Sequence, residues 1–233
     1  MLTKSFTFDT HQINVLFTGK GFNLNSFRGL GFDQPLLLNQ IHSDQIIEIE
    51  NNSIMDPGSG PGMTENCYGK EGDGLVTSLP NVCLGIKTAD CVPILLFDPS
   101  GTLAAVHAGW RGSAQQIVKQ CVEEYFTADS RDKIKALIGP AICAKHYEVG
   151  EEVADLFKQY PDALHSGKEN KFYLNLGRVN ELQLLQAGLT LPNIETIPHC
   201  TFELTELYHS FRRDGASNER NYAIVMKKTL TKA

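Results

Sequence analysis

Three short segments of the sequence contain side chains that bind metal ions or transfer protons. They are NQIHSD at 39–44, TADCVP at 88–93 and HAGWRG at 107–112. Each segment borders a predicted strand and supplies one ligand-type side chain: His42, Cys91 and His107. One thiolate and two imidazoles suit Zn²⁺, and three protein ligands leave a fourth position open for a reacting water. These residues therefore predict a zinc site of the catalytic type.

The same side chains also fit interpretations without a metal. Cys91 and His107 are the residue types of a nucleophile and its general base in Cys–His hydrolases. A single cysteine is more often a small buried hydrophobic residue, and the two histidines could be satisfied polar groups at strand ends. A dyad and a metal site both need Cys91 beside His107, so residue types alone do not separate them.

The turn that follows His107 predicts an anion site. Gly109 and Gly112 allow close approach of the backbone, and a helix predicted to begin here offers free N–H groups. Arg111 adds a cation that binds phosphate in a two-pronged fashion. The structural alternative is that Trp110 anchors the core and Arg111 pairs with an aspartate.

Two further arginines and two acidic residues complete the candidate site. Arg212 and Arg213, in SFRRDG, are additional phosphate candidates, although they could equally form an ion-pair network with Asp214 at a turn. Asp73 and Asp90 adjoin the three segments, and imidazoles bound to zinc usually have a carboxylate or carbonyl behind them. Either aspartate could instead cap a turn.

One segment resembles a metal-site pattern only in part. His146 and Glu148, in HYE, match half of the signature of zinc nucleobase deaminases. The PCxxC half of that signature is absent from the sequence. We therefore predict that HYE belongs to a loop leading into a helix at Glu151.

Composition excludes several classes of protein. The chain has 233 residues, of which 42% are hydrophobic and 21% are charged, as in ordinary globular proteins. A net charge of −6 argues against nucleic acid as the main partner. No apolar run reaches the roughly 18–20 residues of a membrane span, and the first residues, MLTKSFTFDTHQ, lack an apolar signal segment. We expect a cytoplasmic protein with no membrane partner and with its six cysteines reduced.

The elements that must position these residues are short. Apolar stretches predict strands at 45–50, 82–86, 92–97, 103–106, 134–138 and 222–226. Apolar residues at helical spacing predict helices at 113–126, 151–160 and 178–189. The glycine-rich segment 55–74 predicts a long loop without the GxxxxGK[ST] pattern of a phosphate loop. Because strands and helices alternate irregularly, we predict an α+β fold, with a mixed β-sheet core flanked by helices, in a single domain covering 1–233.

Taken in order, the segments resemble one protein family. The resemblance extends from about His42 to Arg220 and consists of NQIHSD, GDGLVT, KTADCVPILLFDP, AAVHAGWRG, IGPAICAKHYEVG, FYLNL and HCTFE…YHSFRRDG…ER. TADCVP followed by HAGWRG is highly specific as a pair. By this resemblance the chain is identified as a member of the polyphenol oxidase or "laccase domain" family. Members of that family were later assigned purine nucleoside phosphorylase activity.

The resemblance implies a mononuclear zinc site on His42, Cys91 and His107. It implies phosphorolysis of adenosine, inosine and methylthioadenosine together with deamination of adenosine, so purine nucleosides and phosphate are the expected partners. It also implies an α+β fold similar to the catalytic domain of cytotoxic necrotizing factor toxins, which are Cys–His deamidases. A metal-free Cys–His amidohydrolase is therefore the main alternative.

The sequence departs from the family pattern in three places. The N-terminal portion GFNLNSFRGLGFDQP is shorter than usual, Ala141 stands where a cysteine is common, and Asn175 replaces an aspartate. If the N-terminal portion shapes the nucleoside pocket, its shortening bears on substrate preference.

The older family name implies a copper oxidase. A multicopper oxidase needs about four copper ions held mostly by imidazoles, and seven histidines in the whole chain are too few. Copper could still replace zinc in a single site, because it binds such ligands more tightly. A zinc-stabilised module without activity is the last alternative, although an open fourth position favours catalysis.

Overall fold

The structure is a computed structural model, which describes residues 1–22, 27–50 and 69–230. These segments contain thirteen strands and five α-helices. The strands are β1 (Leu2–Thr7), β2 (His11–Phe17), β3 (Ile46–Ile49), β4 (Gly74–Thr77), β5 (Cys83–Thr88), β6 (Val92–Phe97), β7 (Leu103–Ala108), β8 (Lys135–Ile138), β9 (Glu148–Val149), β10 (Leu164–Ser166), β11 (Phe172–Leu174), β12 (Ile194–Thr196) and β13 (Asn221–Thr229). The helices are α1 (Trp110–Ala114), α2 (Ile117–Tyr125), α3 (Glu151–Ala154), α4 (Leu176–Gln186) and α5 (Phe211–Asp214).

A mixed six-stranded sheet forms the centre of the molecule, with the strand order β12-β8-β6-β7-β4-β3. The outer pairs β12–β8 and β3–β4 are parallel, and the inner pairs are antiparallel. Strand β6 reads VPILLF and is buried along its whole length. Its side chains alternate between two cores, since Ile94 and Leu96 face the helices whereas Leu95 and Phe97 face a second sheet. The strand predicted at 92–97 is confirmed, and both of its faces are buried.

A second, antiparallel sheet covers the face of the central sheet opposite the helices. Its strand order is β1-β2-β13-β5. Apolar residues of β2, β5 and β13 pack against Leu95 and Phe97 of the central sheet. A fully buried side chain of this size contributes about 1.5–3 kcal/mol through removal from water, so this layer adds a large share of the core. Strands β1 and β2 were not predicted from the sequence.

The helix predicted at 113–126 is two helices in the structure, and this prediction was wrong. Gln116, between α1 and α2, has φ 62°, which interrupts the helical path. The carbonyl of Ser113 accepts a hydrogen bond of 2.7 Å from Nε2 of Gln183, and Asn180 donates to the Ser113 hydroxyl at 2.9 Å. These two side chains of α4 are fully buried and satisfy polar groups of α1 next to the break.

The remaining predicted elements form with altered lengths. Helix α3 ends at Ala154, earlier than the predicted 151–160, and a 3-10 turn over Asp155–Phe157 follows it. Helix α4 lies at Leu176–Gln186, which is close to the prediction. A small sheet of β10, β11 and β9 was not predicted, because its strands have only two or three residues each.

The α+β class with a mixed sheet and flanking helices is confirmed. The division into one domain and the similarity to the toxin domain stay predictions. Of the predicted loop 55–74, residues 55–68 lie outside the described residues. No helix in the described segments is long and apolar enough to cross a membrane. The five cysteines in those segments are free thiols.

Candidate metal centre and active-site cleft

The structure brings together the three ligand-type side chains that the sequence singled out. One ligand atom from each of His42, Cys91 and His107 lies within 4.8 Å of the other two. The two imidazole rings meet edge to face, with centroids 5.0 Å apart and an interplanar angle of 73°. Three donors at this separation can share one metal ion.

Strand pairing in the central sheet places Cys91 beside His107. Cys91 directly precedes β6, and His107 is the second-last residue of its antiparallel neighbour β7. The register pairs Val92 with Ala108 and Pro93 with His107, so the start of β6 lies against the end of β7. The two residues are distant in sequence, but this register fixes their proximity.

Asp73 fixes the positions of His107 and of the loop that carries His42. Its carboxylate accepts hydrogen bonds from the backbone N–H groups of His42 at 3.0 Å and Ser43 at 2.6 Å, and from the Ser43 hydroxyl at 2.8 Å. It also contacts Nδ1 of His107 at 2.7 Å. An acceptor at Nδ1 keeps the proton there and leaves Nε2 of His107 free to bind a metal.

The hydrogen bonds keep Asp73 ionised although it is fully buried. Burial raises the pKa of this carboxyl, but hydrogen bonds from His107 and Ser43 outweigh it and lower the pKa to about 2. The loop that carries His42 folds around this fixed negative charge. His42 itself has φ 61°, a left-handed conformation that the bonds from its own N–H and that of Ser43 stabilise.

Cys91 and His107 shift each other's protonation. Burial raises the pKa of the Cys91 thiol, but the positive charge and hydrogen bonding of His107, with a further hydrogen bond from His42, lower it overall. Burial lowers the pKa of His107, and the negative charges of Cys91 and Asp73 raise it overall. In the absence of a metal the pair therefore favours a thiolate and an imidazolium. The thiolate is also the form of cysteine that binds metals.

Gly109 leaves the space that a ligand at this cluster needs. A Cβ at this position would lie 3.1 Å from Sγ of Cys91 and 3.2 Å from Cδ2 of His42. Because any larger residue would push against two candidate ligands, glycine keeps the cluster open. The donor set and this cradle fit one zinc or copper ion.

The cluster opens into a cleft of about 320 Å³. Besides the three ligand-type residues, its walls include Lys87, Phe211 and Arg220. Phe211 begins α5 and is 57% exposed, so an aromatic face is available to a ligand. The cleft thus combines a potential metal centre, two cations and an aromatic surface.

Lys87 and Arg220 are functional candidates that the sequence analysis missed. Burial lowers the pKa of Lys87, and the positive charge of Arg220 lowers it further. No acidic side chain of the described segments forms an ion pair with either residue. The Gln40 side chain donates to the Lys87 carbonyl and accepts from the Lys87 N–H, with both distances 2.8 Å. A lysine near the end of the otherwise buried strand β5 was the signal available in the sequence.

None of the three arginines that were predicted to bind phosphate lines this cleft. Arg111 is exposed, and its guanidinium lies 4.3 Å from the centroid of the Trp110 ring. Trp110 packs against the helix-side core, as the structural alternative expected. Helix α1 has only five residues, so its dipole is small. Arg111 is not among the residues that line the cleft.

The guanidinium groups of Arg212 and Arg213 form hydrogen bonds within the protein. Arg212 donates to the carbonyl of Glu148 at 3.0 Å, with its guanidinium 5.1 Å from the centroid of the Tyr147 ring. Arg213 makes five hydrogen bonds, to Asp214 and to the carbonyls of Thr201, Phe202 and Tyr208. All five donors of the Arg213 guanidinium are used, so this side chain stabilises the loop and has none left for phosphate.

The Asp90 carboxylate hydrogen-bonds to none of the three ligand-type side chains. Its carboxylate accepts hydrogen bonds from the Thr201 hydroxyl at 2.6 Å and the Arg212 backbone N–H at 2.7 Å. It therefore ties the segment before Cys91 to the chain around α5, which corresponds to the turn-capping alternative. Of the two predicted supporting aspartates, only Asp73 contacts a candidate ligand.

Fold and cluster together define an α+β protein with a candidate metal centre at the end of its central strands. A family model described as multi-copper polyphenol oxidoreductase laccase matches residues 23–228. The chain belongs to this family.

Relatives of the chain have names of enzymes that act on purine nucleosides. The chain is 34% identical to a purine nucleoside phosphorylase of Deinococcus radiodurans over 204 residues, which are 84% of this chain and 72% of that protein. It is 33% identical to a protein named adenosine deaminase from an unknown prokaryotic organism, over 86% of this chain and 78% of that protein. The crystal structure of the Bacillus licheniformis hypothetical protein YfiH has a TM-score of 0.76 and 26% identity, covering 93% and 91% of the two chains.

Proposed function

We propose that this protein is a zinc-dependent purine nucleoside enzyme. It phosphorolyses adenosine, inosine and methylthioadenosine to the free base and the (methylthio)ribose-1-phosphate, and it deaminates adenosine. The observation that carries the proposal is the shared cleft, in which the His42–Cys91–His107 cluster faces the same space as Lys87 and Arg220. The names of the two relatives support the same substrates.

The two cations suit the second substrate of phosphorolysis. Cleavage of the glycosidic bond develops positive charge on the ribose, and phosphate must be held on the side opposite the leaving base. Nη1 of Arg220 donates to the carbonyls of Ser217 and Glu219, which leaves the Nε and Nη2 donors for a two-pronged contact. These donors and the point charge of Lys87 together fit the oxygens of a phosphate. A bound anion also offsets the repulsion between these two cations. We therefore assign phosphate to Lys87 and Arg220 rather than to Arg111, Arg212 or Arg213.

Phe211 suits the purine. Its ring lies on the wall of the cleft and is 57% exposed. Stacking of a base on an aromatic side chain contributes about 1–3 kcal/mol and tolerates different bases. Such a contact accommodates both adenosine and inosine.

His42, Cys91 and His107 would hold the zinc ion, which supplies a Lewis acid at the wall of the cleft when it is bound. Asp73 orients His107 through Nδ1 and fixes the backbone of His42. Gly109 keeps the space between Cys91 and His42 clear. Copper fits the same donors and is the alternative ion.

A metal-free Cys–His amidohydrolase is the second candidate function. It is favoured by the mutual pKa shifts of Cys91 and His107, which promote a nucleophilic thiolate beside an imidazolium. This function predicts activity that survives chelation and is lost on alkylation of Cys91. A copper-dependent polyphenol oxidase is the third, and the three ligands of this cluster would serve only one ion.

The deciding experiment combines metal analysis with turnover. We expect about one zinc ion bound at this cluster per chain, and ribose-1-phosphate from inosine only when phosphate is present. Cys91→Ala should lose both this zinc and the activity. Full phosphorolysis by Cys91→Ala protein that lacks zinc at this cluster would overturn the proposal. Chelator-resistant activity that alkylation abolishes would favour the amidohydrolase.

Substitution of the two cations tests the phosphate assignment. Lys87→Met and Arg220→Met should each raise the KM for phosphate about 10-fold or more, the loss of one charge-assisted contact. Metal content should not change. Lys168→Met removes an exposed lysine in the turn between β10 and β11 and serves as the control. An unchanged KM for phosphate in both cleft variants would refute the assignment.

A further inference from the structure

A second group of metal-binding side chains lies apart from the cleft. One ligand atom from each of Cys143, Cys200 and Glu203 lies within 4.8 Å of the other two. His146 lies beside this group and contacts one of its members, since its Nε2 is 2.9 Å from Oε1 of Glu203. None of these four residues lines the cleft that contains Cys91.

The four residues form two matching pairs in the sequence. Cys143 and His146 occur in CAKH, and Cys200 and Glu203 occur in CTFE, with two residues between the members of each pair. Ligand pairs with a two-residue spacer are typical of structural zinc sites, because a short turn directs both side chains to one point.

Backbone hydrogen bonds hold the two pairs in register. Ala141 forms an isolated parallel bridge with Cys200. The Ala141 N–H donates to the carbonyl of His199 at 3.3 Å, and the Thr201 N–H donates to the carbonyl of Ala141 at 3.0 Å. The Cys143 N–H donates to Sγ of Cys200 at 3.3 Å. The fold therefore brings the pairs together through contacts that do not involve the metal-binding atoms of His146 or Glu203.

The environment of the group suits a tightly held ion. Cys200 is buried, Cys143 and His146 are half-buried, and Glu203 closes the group on the solvent side. The His146 ring stacks on Phe202, with centroids 4.4 Å apart and an interplanar angle of 19°, which restricts its orientation.

We propose that Cys143, Cys200 and Glu203 bind a second divalent metal ion, for which zinc is the best match, and that His146 positions the Glu203 carboxylate. Two thiolates and one carboxylate give three protein ligands, and a water on the exposed side of Glu203 would complete the four positions that zinc prefers. Lys145 contacts Glu203 at 3.3 Å, but its side chain is 76% exposed and free to move away.

The ion would clamp two segments, the second of which leads to Phe211 on the wall of the cleft. The first segment continues into Tyr147, and the guanidinium of Arg212, next to Phe211, lies over the Tyr147 ring. Thr201, next to Cys200, donates to Asp90, the residue before Cys91. Removal of the ion should therefore loosen this side of the protein without removing any ligand of the first site.

Cobalt substitution under reducing conditions tests the proposal independently of enzyme activity. Cys91→Ser removes the only thiolate of the first cluster, so any remaining thiolate-to-cobalt charge-transfer absorption must come from another site. We expect this absorption in the Cys91→Ser variant and its loss in Cys91→Ser combined with Cys200→Ser. We also expect two zinc ions per wild-type chain and one in each single-site variant.

Milder variants keep the test valid if loss of Cys200 prevents folding. His146→Asn and Glu203→Gln should weaken cobalt binding at this site at least 10-fold and lower the melting temperature of the zinc-loaded protein. Lys145→Met is the matched control, since it lies in the same turn and should leave binding intact or strengthen it. Absence of charge-transfer absorption in folded Cys91→Ser protein at saturating cobalt, or a single zinc ion in the wild-type chain, would overturn the proposal.

Discussion

Asp73 and His107 are joined by a 2.7 Å hydrogen bond between a fully buried carboxylate and Nδ1 of the imidazole. The same carboxylate accepts the backbone N–H of His42. The Asp73 carboxylate therefore positions two of the three candidate metal ligands. It binds the imidazole of His107 and the backbone N–H of His42. This makes Asp73 the most sensitive supporting residue of the site.

Replacement of Asp73 should weaken metal binding strongly. In Asp73→Asn, the amide is a weaker acceptor for His107 and for the N–H groups of the His42 loop, and we expect zinc affinity to fall about 10–100-fold. A competition titration with a chromogenic chelator measures it. Asp98→Asn is the control, because Asp98 is also buried but holds the turn at Gly101 and Thr102. Equal zinc affinities in the two variants would contradict the role of Asp73.

A methyl group at Gly109 should disturb the cluster directly. In Gly109→Ala, the added Cβ would lie 3.1 Å from Sγ of Cys91, so the thiol or the backbone must shift. Small displacements of reacting groups cost about 100-fold per ångström, and we expect turnover to fall at least ~10-fold. Gly29→Ala, where a Cβ meets nothing within 4 Å, is the matched control. The prediction fails if the two alanine variants have equal turnover.

The metal-free protein should contain one unusually reactive thiol. The pKa of Cys91 is lowered by His107, whereas burial raises the pKa of Cys83 and Cys121. At pH 7 we expect iodoacetamide to label Cys91 before those two, and zinc to protect it. Peptide mass spectrometry across pH 5–9 follows the labelling.

The pH dependence of this labelling identifies the cause of the shift. Because His107 stabilises the thiolate, His107→Gln should move the labelling of Cys91 to higher pH. A labelling profile that His107→Gln leaves unchanged would show that the imidazole does not lower this pKa.

The break between α1 and α2 should depend on Gln183. In Gln183→Leu, the carbonyl of Ser113 loses its 2.7 Å hydrogen bond in the protein interior. An unpaired buried polar group costs about 1–3 kcal/mol, so the free energy of unfolding should fall by that amount. Urea denaturation measures it, and Gln186→Leu on the exposed side of α4 is the control. Equal unfolding free energies of the two variants would contradict this role.

The pattern of apolar residues predicted strands of the central sheet such as β6 because their side chains are buried in an apolar core. Strand β6 is apolar at every position, and both of its faces are buried. Helix α4 was predicted near its true bounds, but its buried face includes Asn180 and Gln183, which periodicity treats as exposed positions. Polar residues in a core depend on partners such as Ser113, and those partners come from another part of the chain.

The amino-acid sequence by itself determined the residue types of the site and the family. His42, Cys91 and His107 stand in segments specific enough to identify them, and the structure brings them together. Tertiary structure alone decided which charged residues face the cleft, since strand register and loop packing turned Lys87 and Arg220 inward and engaged Arg213 with carbonyl groups. The physical reason is that a side chain's chemistry is local, whereas its neighbours and its exposure depend on contacts between distant segments.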